Sequence, residues 1–195
     1  MMAGLIIAGG RARRMEGVDK LTARLGADTV LGRVAACIGP QVDHLALNLN
    51  RDVERFADLH LPILTDDPRF TGNPLAGMQA GLSWARALGA TRLLTVSGDT
   101  PFLPHDLVAR LAAAGEGAVI AASGGRRHPL IGLWPVSLLP ALEDFLKGGP
   151  DCRIGDWARA AQASTAGWPA TPIDPFFNIN TQADLDQARD LAEHA

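Results

Sequence analysis

The sequence predicts an α/β fold with a mostly parallel sheet, and two observations support this prediction. Apolar runs of strand length alternate along the chain with longer helical patterns, which is typical of βαβ units. The chain has 195 residues, enough to bury one sizeable core. No internal repeat or linker divides it. We therefore expect residues 1–195 to form a single domain.

The predicted strands are short apolar runs bounded by turn residues. They cover residues 3–8, 44–49, 62–65, 91–96, 118–122 and 130–134. The last two are expected to be joined by a turn at residues 123–125, whose two glycines suit a tight reversal.

The predicted helices have recognisable start and stop signals. They cover residues 30–38, 74–88, 104–114, 136–146 and 153–163, and a final helix begins at residue 181. Asn73 followed by Pro74 is a favoured N-cap arrangement. Thr181 with Asp184 three residues later has the capping-box pattern.

Charge and composition exclude several classes of function. The net charge of -3 argues against a nucleic-acid-binding surface. No apolar run is long enough to cross a bilayer, and the apolar start at residues 1–8 lacks the basic leader of a signal peptide. Cys37 and Cys152 imply no disulfide framework. We therefore expect a cytoplasmic protein without membrane or nucleic-acid partners.

Polar residues follow the first four predicted strands. Gly9 and Gly10 come after the first, Asn48 ends the second, Asp66 follows the third and Asp99 follows the fourth. In an open parallel sheet, ligands bind beyond the carboxyl ends of the strands, so these groups should converge on one edge. Turn chemistry alone also favours glycine, asparagine and aspartate at strand ends.

The segment after the first strand is rich in glycine and basic residues. Gly9 and Gly10 allow the backbone to approach a polyphosphate, and Arg14 and Lys20 add positive charge. The spacing fits neither the dinucleotide fingerprint nor the P-loop. A phosphate-binding loop is the preferred interpretation, and a solvated basic loop is the alternative.

Asp99 is the candidate metal ligand. Magnesium often binds through one or two carboxylates together with substrate phosphates. A carboxylate at a strand end, facing the phosphate loop, suits that role. A capping role for the following turn is the alternative.

Motifs along nearly the whole chain resemble those of the molybdenum cofactor guanylyltransferases. The matching segments are Ile7-Ala8-Gly9-Gly10, Arg13-Arg14-Met15, Gly17-Val18-Asp19-Lys20, Asn48-Leu49-Asn50-Arg51, Pro74-Leu75-Ala76-Gly77-Met78, Gly98-Asp99-Thr100-Pro101, Arg127-His128-Pro129 and Phe177-Asn178-Ile179-Asn180-Thr181. The sequence departs from the family at Glu16 and at Leu21-Thr22, which concerns details of the loop.

The resemblance implies a reaction and a fold. The reaction is transfer of GMP from GTP to molybdopterin carrying molybdenum, with release of pyrophosphate and a requirement for Mg²⁺. The fold is Rossmann-like, of the nucleotide-diphospho-sugar transferase type, with helices on both faces of the sheet. Molybdoenzymes or their chaperones are further expected partners.

The resemblance also implies roles for individual residues. Lys20 and Asp99 would be catalytic, and Asp99 would hold the metal. The implied GTP-binding residues are Ile7, Ala8, Gly9, Gly10, Arg14, Lys20, Asn48, Asp66 and Asp99. Residues 1–100 would be mainly the GTP-binding half.

The acceptor is assigned to residues 101–195. Arg127 is expected on a turn and His128 in the same predicted hairpin, and Asn178 and Asn180 share one side of an extended segment. Together these four could contact the pterin, although turn and capping chemistry accounts for the same residues. Because the acceptor phosphate can attack the α-phosphorus directly, no protein nucleophile is required.

Two other functions are compatible with parts of the sequence. One is a related nucleotidyltransferase that makes a cytidine dinucleotide or a sugar nucleotide. The other is a non-catalytic nucleotide-binding regulator, against which the retained Lys20 and Asp99 argue.

Overall fold

The computed structural model describes residues 1–8, 20–70, 73–149 and 151–193. Its strands are β1 (Met2–Ile7), β2 (Arg24–Leu25), β3 (Asp28–Thr29), β4 (His44–Asn48), β5 (Ile63–Leu64), β6 (Arg92–Ser97), β7 (Val119–Ser123), β8 (Arg126–Pro135) and β9 (Ser164–Trp168). Its α-helices are α1 (Val30–Ile38), α2 (Pro74–Ala87), α3 (Leu107–Ala113), α4 (Leu139–Leu146), α5 (Ile154–Ala160) and α6 (Gln182–Glu193). Short 3-10 helices cover Gly39–Gln41, Val53–Leu59 and Val136–Leu138.

The main sheet has seven strands in the order β5-β4-β1-β6-β8-β7-β9. β1 pairs in parallel with β4 and β6, β4 with β5, and β7 with β9. β8 runs antiparallel to both of its neighbours, β6 and β7. A separate hairpin joins β2 and β3. The prediction of a mostly parallel α/β sheet is confirmed.

Helices cover both faces of this sheet, as predicted. α1 and α3 pack on one face, where Ile6 of β1 is fully buried. α2, α4 and α5 pack on the other face, where Leu5 and Ile7 of the same strand contribute to the core. The alternation of β1 side chains between two cores follows from the two-residue period of a strand. Burial on both faces explains why the strand sequence is almost continuously apolar.

Side-chain caps begin three of the helices, and two of these caps, at α2 and α6, were predicted from the sequence. Thr29 accepts from the Gly32 N–H at 3.0 Å at the start of α1, and Asn73 accepts from the Leu75 N–H at 2.9 Å at the start of α2. At α6, Thr181 Oγ1 accepts from the Asp184 N–H, and the Asp184 carboxylate accepts from the Thr181 N–H, which completes the predicted capping box. Each such cap contributes about 1 kcal/mol.

The sequence did not predict β9. Residues 153–163 were expected to be helical, but α5 ends at Ala160, and Gln162 has a positive φ of 53°. The chain then enters β9, whose Ser-Thr-Ala-Gly-Trp sequence lacks an apolar run. Parallel pairing with β7 along Ser164–Trp168 forms this strand.

The predicted location of Arg127 on a turn was wrong. Gly124 and Gly125, with φ of 53° and 78°, form the turn by themselves. β8 therefore begins at Arg126, opposite Ser123, and Arg127 lies within the strand. The strand is four residues longer at this end than the apolar pattern predicted, because residues 126–128 pair with β7 through their backbone without an apolar face.

Across the described residues, none of the helices combines the length and apolar character that crossing a membrane requires.

Candidate active site

The carboxyl ends of β5, β4, β1 and β6 meet at one edge of the sheet because these neighbouring strands are parallel. Backbone hydrogen bonds join their ends: the Ala8 N–H donates to the Asn48 carbonyl at 3.0 Å, and the Gly98 N–H donates to the Ile7 carbonyl at 3.1 Å. The edge thus carries Asp66, Asn48, Ile7-Ala8 and Asp99 in spatial order. The predicted convergence is confirmed for Asn48, Asp66 and Asp99, whereas Gly9 and Gly10, the other two residues of that prediction, lie outside the described residues.

Lys20 and Asp99 form an ion pair at this edge. The Lys20 Nζ lies 2.5 Å from Asp99 Oδ2, and each side chain is 14% exposed. The Ser97 hydroxyl donates to Asp99 Oδ1 at 2.6 Å. Both carboxylate oxygens therefore have a donor within hydrogen-bonding distance, which fixes the orientation of the Asp99 side chain. The two residues are 79 positions apart in sequence, and Asp99 is brought to Lys20 by its place directly after β6.

Asn180 lies beside this pair. Its Oδ1 accepts from Lys20 Nζ at 3.3 Å, and the neighbouring Ile179 N–H donates to the Asp99 carbonyl at 2.9 Å. Asn180 was assigned from the sequence to the acceptor half, whereas Lys20 and Asp99 were assigned to the GTP half. The structure brings residues from both assignments into contact.

Asp184 is a further carboxylate in this neighbourhood that was not among the predicted site residues. The backbone N–H of Asn180 donates to it at 2.9 Å and holds the pKa of Asp184 below its usual value, with smaller contributions from Thr181 and the charge of Lys20. The sequence pattern identified Asp184 as a helix cap, and that role is confirmed by the hydrogen bonds. The sequence alone did not indicate that Asp184 lies close enough to Lys20 to be affected by its charge.

Asn48 and Asp66 belong to a hydrogen-bonded network at the other end of the edge. Asn48 is 1% exposed, and its Nδ2 donates to the Leu64 carbonyl at 3.1 Å and to Asp66 Oδ1 at 2.9 Å. Asn50 donates to Asp66 Oδ2 at 2.8 Å and accepts from the Asp66 N–H at 2.8 Å. The network fixes the orientation of the Asp66 carboxylate, because each of its oxygens has an amide donor.

Helix α2 packs directly on this network. A Cβ added at Gly77 would lie 2.3 Å from Asn48 Oδ1, a distance that real Cβ contacts essentially never show. Glycine at position 77 therefore lets the first turn of α2 approach the buried amide.

The predicted acceptor residues on β8 contact other parts of the chain. Arg127 is exposed and donates to the Ala163 carbonyl at 3.2 Å. His128 is half-buried, with Nε2 2.9 Å from the Ser123 hydroxyl, which in turn donates to Asp174 Oδ1 at 2.7 Å. Burial lowers the pKa of His128, and the Asp174 charge partly opposes that shift. Ser123 and Asp174 were not recognised from the sequence as site candidates.

The remaining predicted residues divide into three groups. Gly9, Gly10 and Arg14 lie outside the described residues. Ile7 is 7% exposed, and its side chain belongs to the core under α2. A ligand at the edge could therefore contact only the backbone of Ile7. Asn178 is half-buried on the 174–180 segment, two residues before Asn180 and separated from it by the fully buried Ile179.

The donor set at the edge is compatible with a magnesium site that substrate completes. Within residues 1–8, 20–70, 73–149 and 151–193, no group of three or more His, Cys, Asp or Glu side chains is arranged to hold a metal ion. The donor atoms of Asp99 are carboxylate oxygens. A hard cation such as Mg²⁺ is often bound by one carboxylate together with substrate phosphates.

Comparison with known proteins identifies the family. A family model described as a MobA-like NTP transferase domain matches residues 4–162. The chain belongs to this family. The prediction of a nucleotidyltransferase is thereby confirmed, and the Lys20–Asp99 pair lies within the region that the MobA-like family model covers.

Relatives in the MobA-like family match over almost the whole chain. A protein from Cereibacter sphaeroides named molybdenum cofactor guanylyltransferase is 46% identical, with 96% of this chain and 95% of that protein covered. A protein of the same name from a Bradyrhizobium species is 44% identical over 97% of this chain and 92% of its own length. The family resemblance predicted from the motifs is confirmed.

Solved structures confirm the fold type. Molybdopterin-guanine dinucleotide biosynthesis protein A from Archaeoglobus fulgidus has a TM-score of 0.73 at 19% identity and covers 100% of both chains. A protein from Mycobacterium tuberculosis H37Rv, solved in complex with manganese, has a TM-score of 0.69 at 14% identity and covers 97% of both chains.

Proposed function

We propose that this chain transfers GMP from GTP to molybdopterin carrying molybdenum, producing a guanine dinucleotide cofactor and pyrophosphate. The names of the MobA-like relatives support the choice of substrates. The Lys20–Asp99 pair is the observation that carries the assignment of the site. It lies at the carboxyl edge of the sheet between the Asn48–Asp66 network and Asn180.

The reaction requires little covalent chemistry from the protein. An oxygen of the acceptor phosphate attacks the α-phosphorus of GTP, a new P–O bond forms, and the bond to the bridging oxygen of the β-phosphate breaks. Pyrophosphate takes the electron pair of that bond. Catalysis then consists of positioning the two substrates and stabilising negative charge on phosphate oxygens.

Lys20 provides positive charge for this step. Its ammonium group is a compact charge with three donors, which suits phosphate oxygens. In the structure it is held by Asp99 and Asn180, so it is already oriented at the edge. Gly9, Gly10 and Arg14 are proposed to contribute further phosphate contacts, and Ala8 and the Ile7 backbone to border the nucleotide.

Asp99 is proposed to hold Mg²⁺. The fit rests on its carboxylate oxygens at the end of β6 and on the chemistry of a single carboxylate completed by substrate phosphates. When bound, the cation would neutralise phosphate charge and polarise the α-phosphoryl group. Ser97 orients the carboxylate through its 2.6 Å hydrogen bond.

The Asn48–Asp66 network is proposed to bind the nucleoside part of GTP. The Asp66 carboxylate, held by the buried Asn48 amide and by Asn50, offers accepting oxygens in fixed positions. Fixed polar groups discriminate well, because a ligand that fails to match them leaves buried groups without partners.

The acceptor is proposed to lie over the later part of the chain. Arg127, His128, Asn178 and Asn180 are its candidate contacts, and residues 101–195 its half of a single domain. The contact between Asn180 and Lys20 supports a meeting point of the two substrates at this position. We further propose that the protein is cytoplasmic and delivers product to molybdoenzymes or their chaperones; its two cysteines are free, which suits a reducing compartment.

Product analysis tests this proposal. The protein is incubated with GTP, Mg²⁺ and molybdenum-loaded molybdopterin, and pyrophosphate release and product mass are measured. We expect the mass of the guanine dinucleotide, with release dependent on the acceptor. CTP and ATP serve as competitors. A cytidine product would assign the chain to a related reaction, and GTP binding without any pyrophosphate would indicate a regulator.

A further inference from the structure

Asp174 is a hydrogen-bond junction between the end of β7 and the 174–180 segment. Its Oδ1 accepts from the Ser123 hydroxyl at 2.7 Å and from the Phe176 N–H at 2.9 Å. The Phe177 N–H donates to the Asp174 carbonyl at 3.1 Å and closes the same turn. One carboxylate oxygen thus connects a strand of the sheet to the first turn of the segment.

His128 completes this junction. Because the Ser123 hydroxyl donates its single hydrogen to Asp174, its oxygen is left to accept from His128 Nε2 at 2.9 Å. The imidazole also packs on the Phe176 ring, with centroids 4.9 Å apart. Ser123, the middle member of the chain from His128 to Asp174, is 3% exposed, and the two outer members are half-buried.

The opposite end of the segment contacts the catalytic pair. The Ile179 N–H donates to the Asp99 carbonyl, and Asn180 accepts from Lys20. Ile179 itself is fully buried in a small core with Val30 and Leu185. The antiparallel strands β7 and β8 form a two-stranded unit that we call the β7–β8 ribbon. The 174–180 segment is therefore anchored to this ribbon at Asp174 and to the active site at residues 179–180.

We propose that Ser123 and Asp174 are positioning residues for the transfer reaction. They fix the start of the 174–180 segment, and the segment then sets where Ile179 and Asn180 meet Asp99 and Lys20. This inference rests on the proposed function, in which Lys20 and Asp99 act on the phosphates. Displacements of about 1 Å in a catalytic arrangement can lower rates by as much as roughly a hundredfold.

Three substitutions and one control separate positioning from general stability. Ser123→Ala and Asp174→Ala remove the junction. Asp174→Asn keeps an Oδ1 that can accept from both the Ser123 hydroxyl and the Phe176 N–H. Ser164→Ala is the matched control, because its hydroxyl lies near the opposite end of β7, 3.4 Å from the Ala118 carbonyl.

The experiment measures kcat and KM for GTP, together with hydrogen–deuterium exchange of peptides that contain Ile179. We expect Ser123→Ala and Asp174→Ala to lower kcat roughly tenfold with the KM for GTP within about twofold, since the nucleotide network is untouched. Exchange at Ile179 should rise in the same two variants. Asp174→Asn and Ser164→Ala should both resemble the wild type.

Three results would decide against one proposal or the other. Unchanged kcat and unchanged Ile179 exchange in Asp174→Ala would overturn the positioning role. A loss in Asp174→Asn equal to that in Asp174→Ala would also overturn it, because the role is assigned to the accepting oxygen and not to the charge. Absence of any guanine dinucleotide product with the wild-type protein would overturn the proposed function instead.

Discussion

The carboxyl edge formed by β5, β4, β1 and β6 organises its polar side chains differently from the β7–β8 ribbon. At the edge, residues far apart in sequence interlock, as Lys20 does with Asp99 and Asn48 with Asp66. On the ribbon, the adjacent residues Arg127 and His128 contact unrelated partners.

The difference follows from the direction of neighbouring strands and from the alternation of side chains along each strand. Parallel neighbours bring residues that follow each strand to the same edge. Along a single strand such as β8, successive side chains point to opposite faces, so neighbours in sequence are separated in space. Proximity in the fold is therefore better predicted from equivalent positions on parallel strands than from adjacency in a motif.

The largest effect should come from removing Asp99. Asp99→Ala is expected to lower turnover at least roughly a hundredfold, because it removes the proposed cation ligand and the carboxylate that pairs with Lys20. Pyrophosphate release in Mg²⁺ measures the loss, and circular dichroism checks the fold. Near-normal turnover by a folded variant would remove Asp99 from the chemistry.

Lys20→Ala should have the next largest effect. We expect GTP affinity to fall roughly tenfold to a hundredfold and GMP affinity to fall less, because a charge-assisted contact to the β- and γ-phosphates is worth about 1.5–3 kcal/mol. Isothermal titration with each nucleotide measures the two affinities. Equal losses for GTP and GMP would place Lys20 away from the terminal phosphates.

A pair of glycine substitutions tests the packing of α2 on the nucleotide network. Gly77→Ala would place a Cβ 2.3 Å from Asn48 Oδ1, so the amide must move and its bond to Asp66 must weaken. We expect a loss of about 1–3 kcal/mol in the free energy of unfolding and weaker GTP binding.

Gly155→Ala is the control, since nothing lies within 4 Å of a Cβ at this position in α5. It should be neutral or stabilising by up to about 1 kcal/mol. Thermal unfolding and GTP titration compare the two variants. Equal behaviour would mean that the close approach at Gly77 has no influence on the site.

Arg127→Ala should have the smallest effect on the nucleotide. Its exposed guanidinium contacts the Ala163 carbonyl, so the change in unfolding free energy should stay within about 1 kcal/mol, and the KM for GTP should be unaffected. If Arg127 contacts the acceptor as proposed, the KM for molybdopterin should rise. Steady-state kinetics with each substrate varied separately measures both values, and a rise confined to GTP would reverse the assignment.

Much of the fold and of the edge could be predicted from the sequence. The strands β1, β4 and β6 are short and largely apolar, and the carboxyl-end rule for the predicted parallel sheet then indicated Asn48, Asp66 and Asp99. These predictions depended on local pattern and one general property of parallel sheets.

Other features depended on tertiary pairing. β9 has little intrinsic strand pattern and exists because β7 offers it a parallel partner. Ser123 meets Asp174 across 51 residues of sequence, and the sequence contains no periodic signal for that contact. The Asn180–Lys20 contact spans 160 residues and joins the two halves that the sequence had separated.

The central claim is that GTP occupies the edge of β5, β4, β1 and β6 while the acceptor lies over β8 and the 174–180 segment. Separate equilibrium titrations of Asp66→Asn with GTP and with molybdenum-loaded molybdopterin test it most directly. The substitution replaces one accepting oxygen of Asp66 with an NH₂ group. This NH₂ group would face the donating amide of Asn48 or Asn50, so one hydrogen bond of the network would be lost. GTP affinity should fall roughly tenfold, a cost of about 1.4 kcal/mol, with molybdopterin affinity within about twofold of the wild type. Loss of molybdopterin binding with normal GTP affinity would contradict this arrangement of the site.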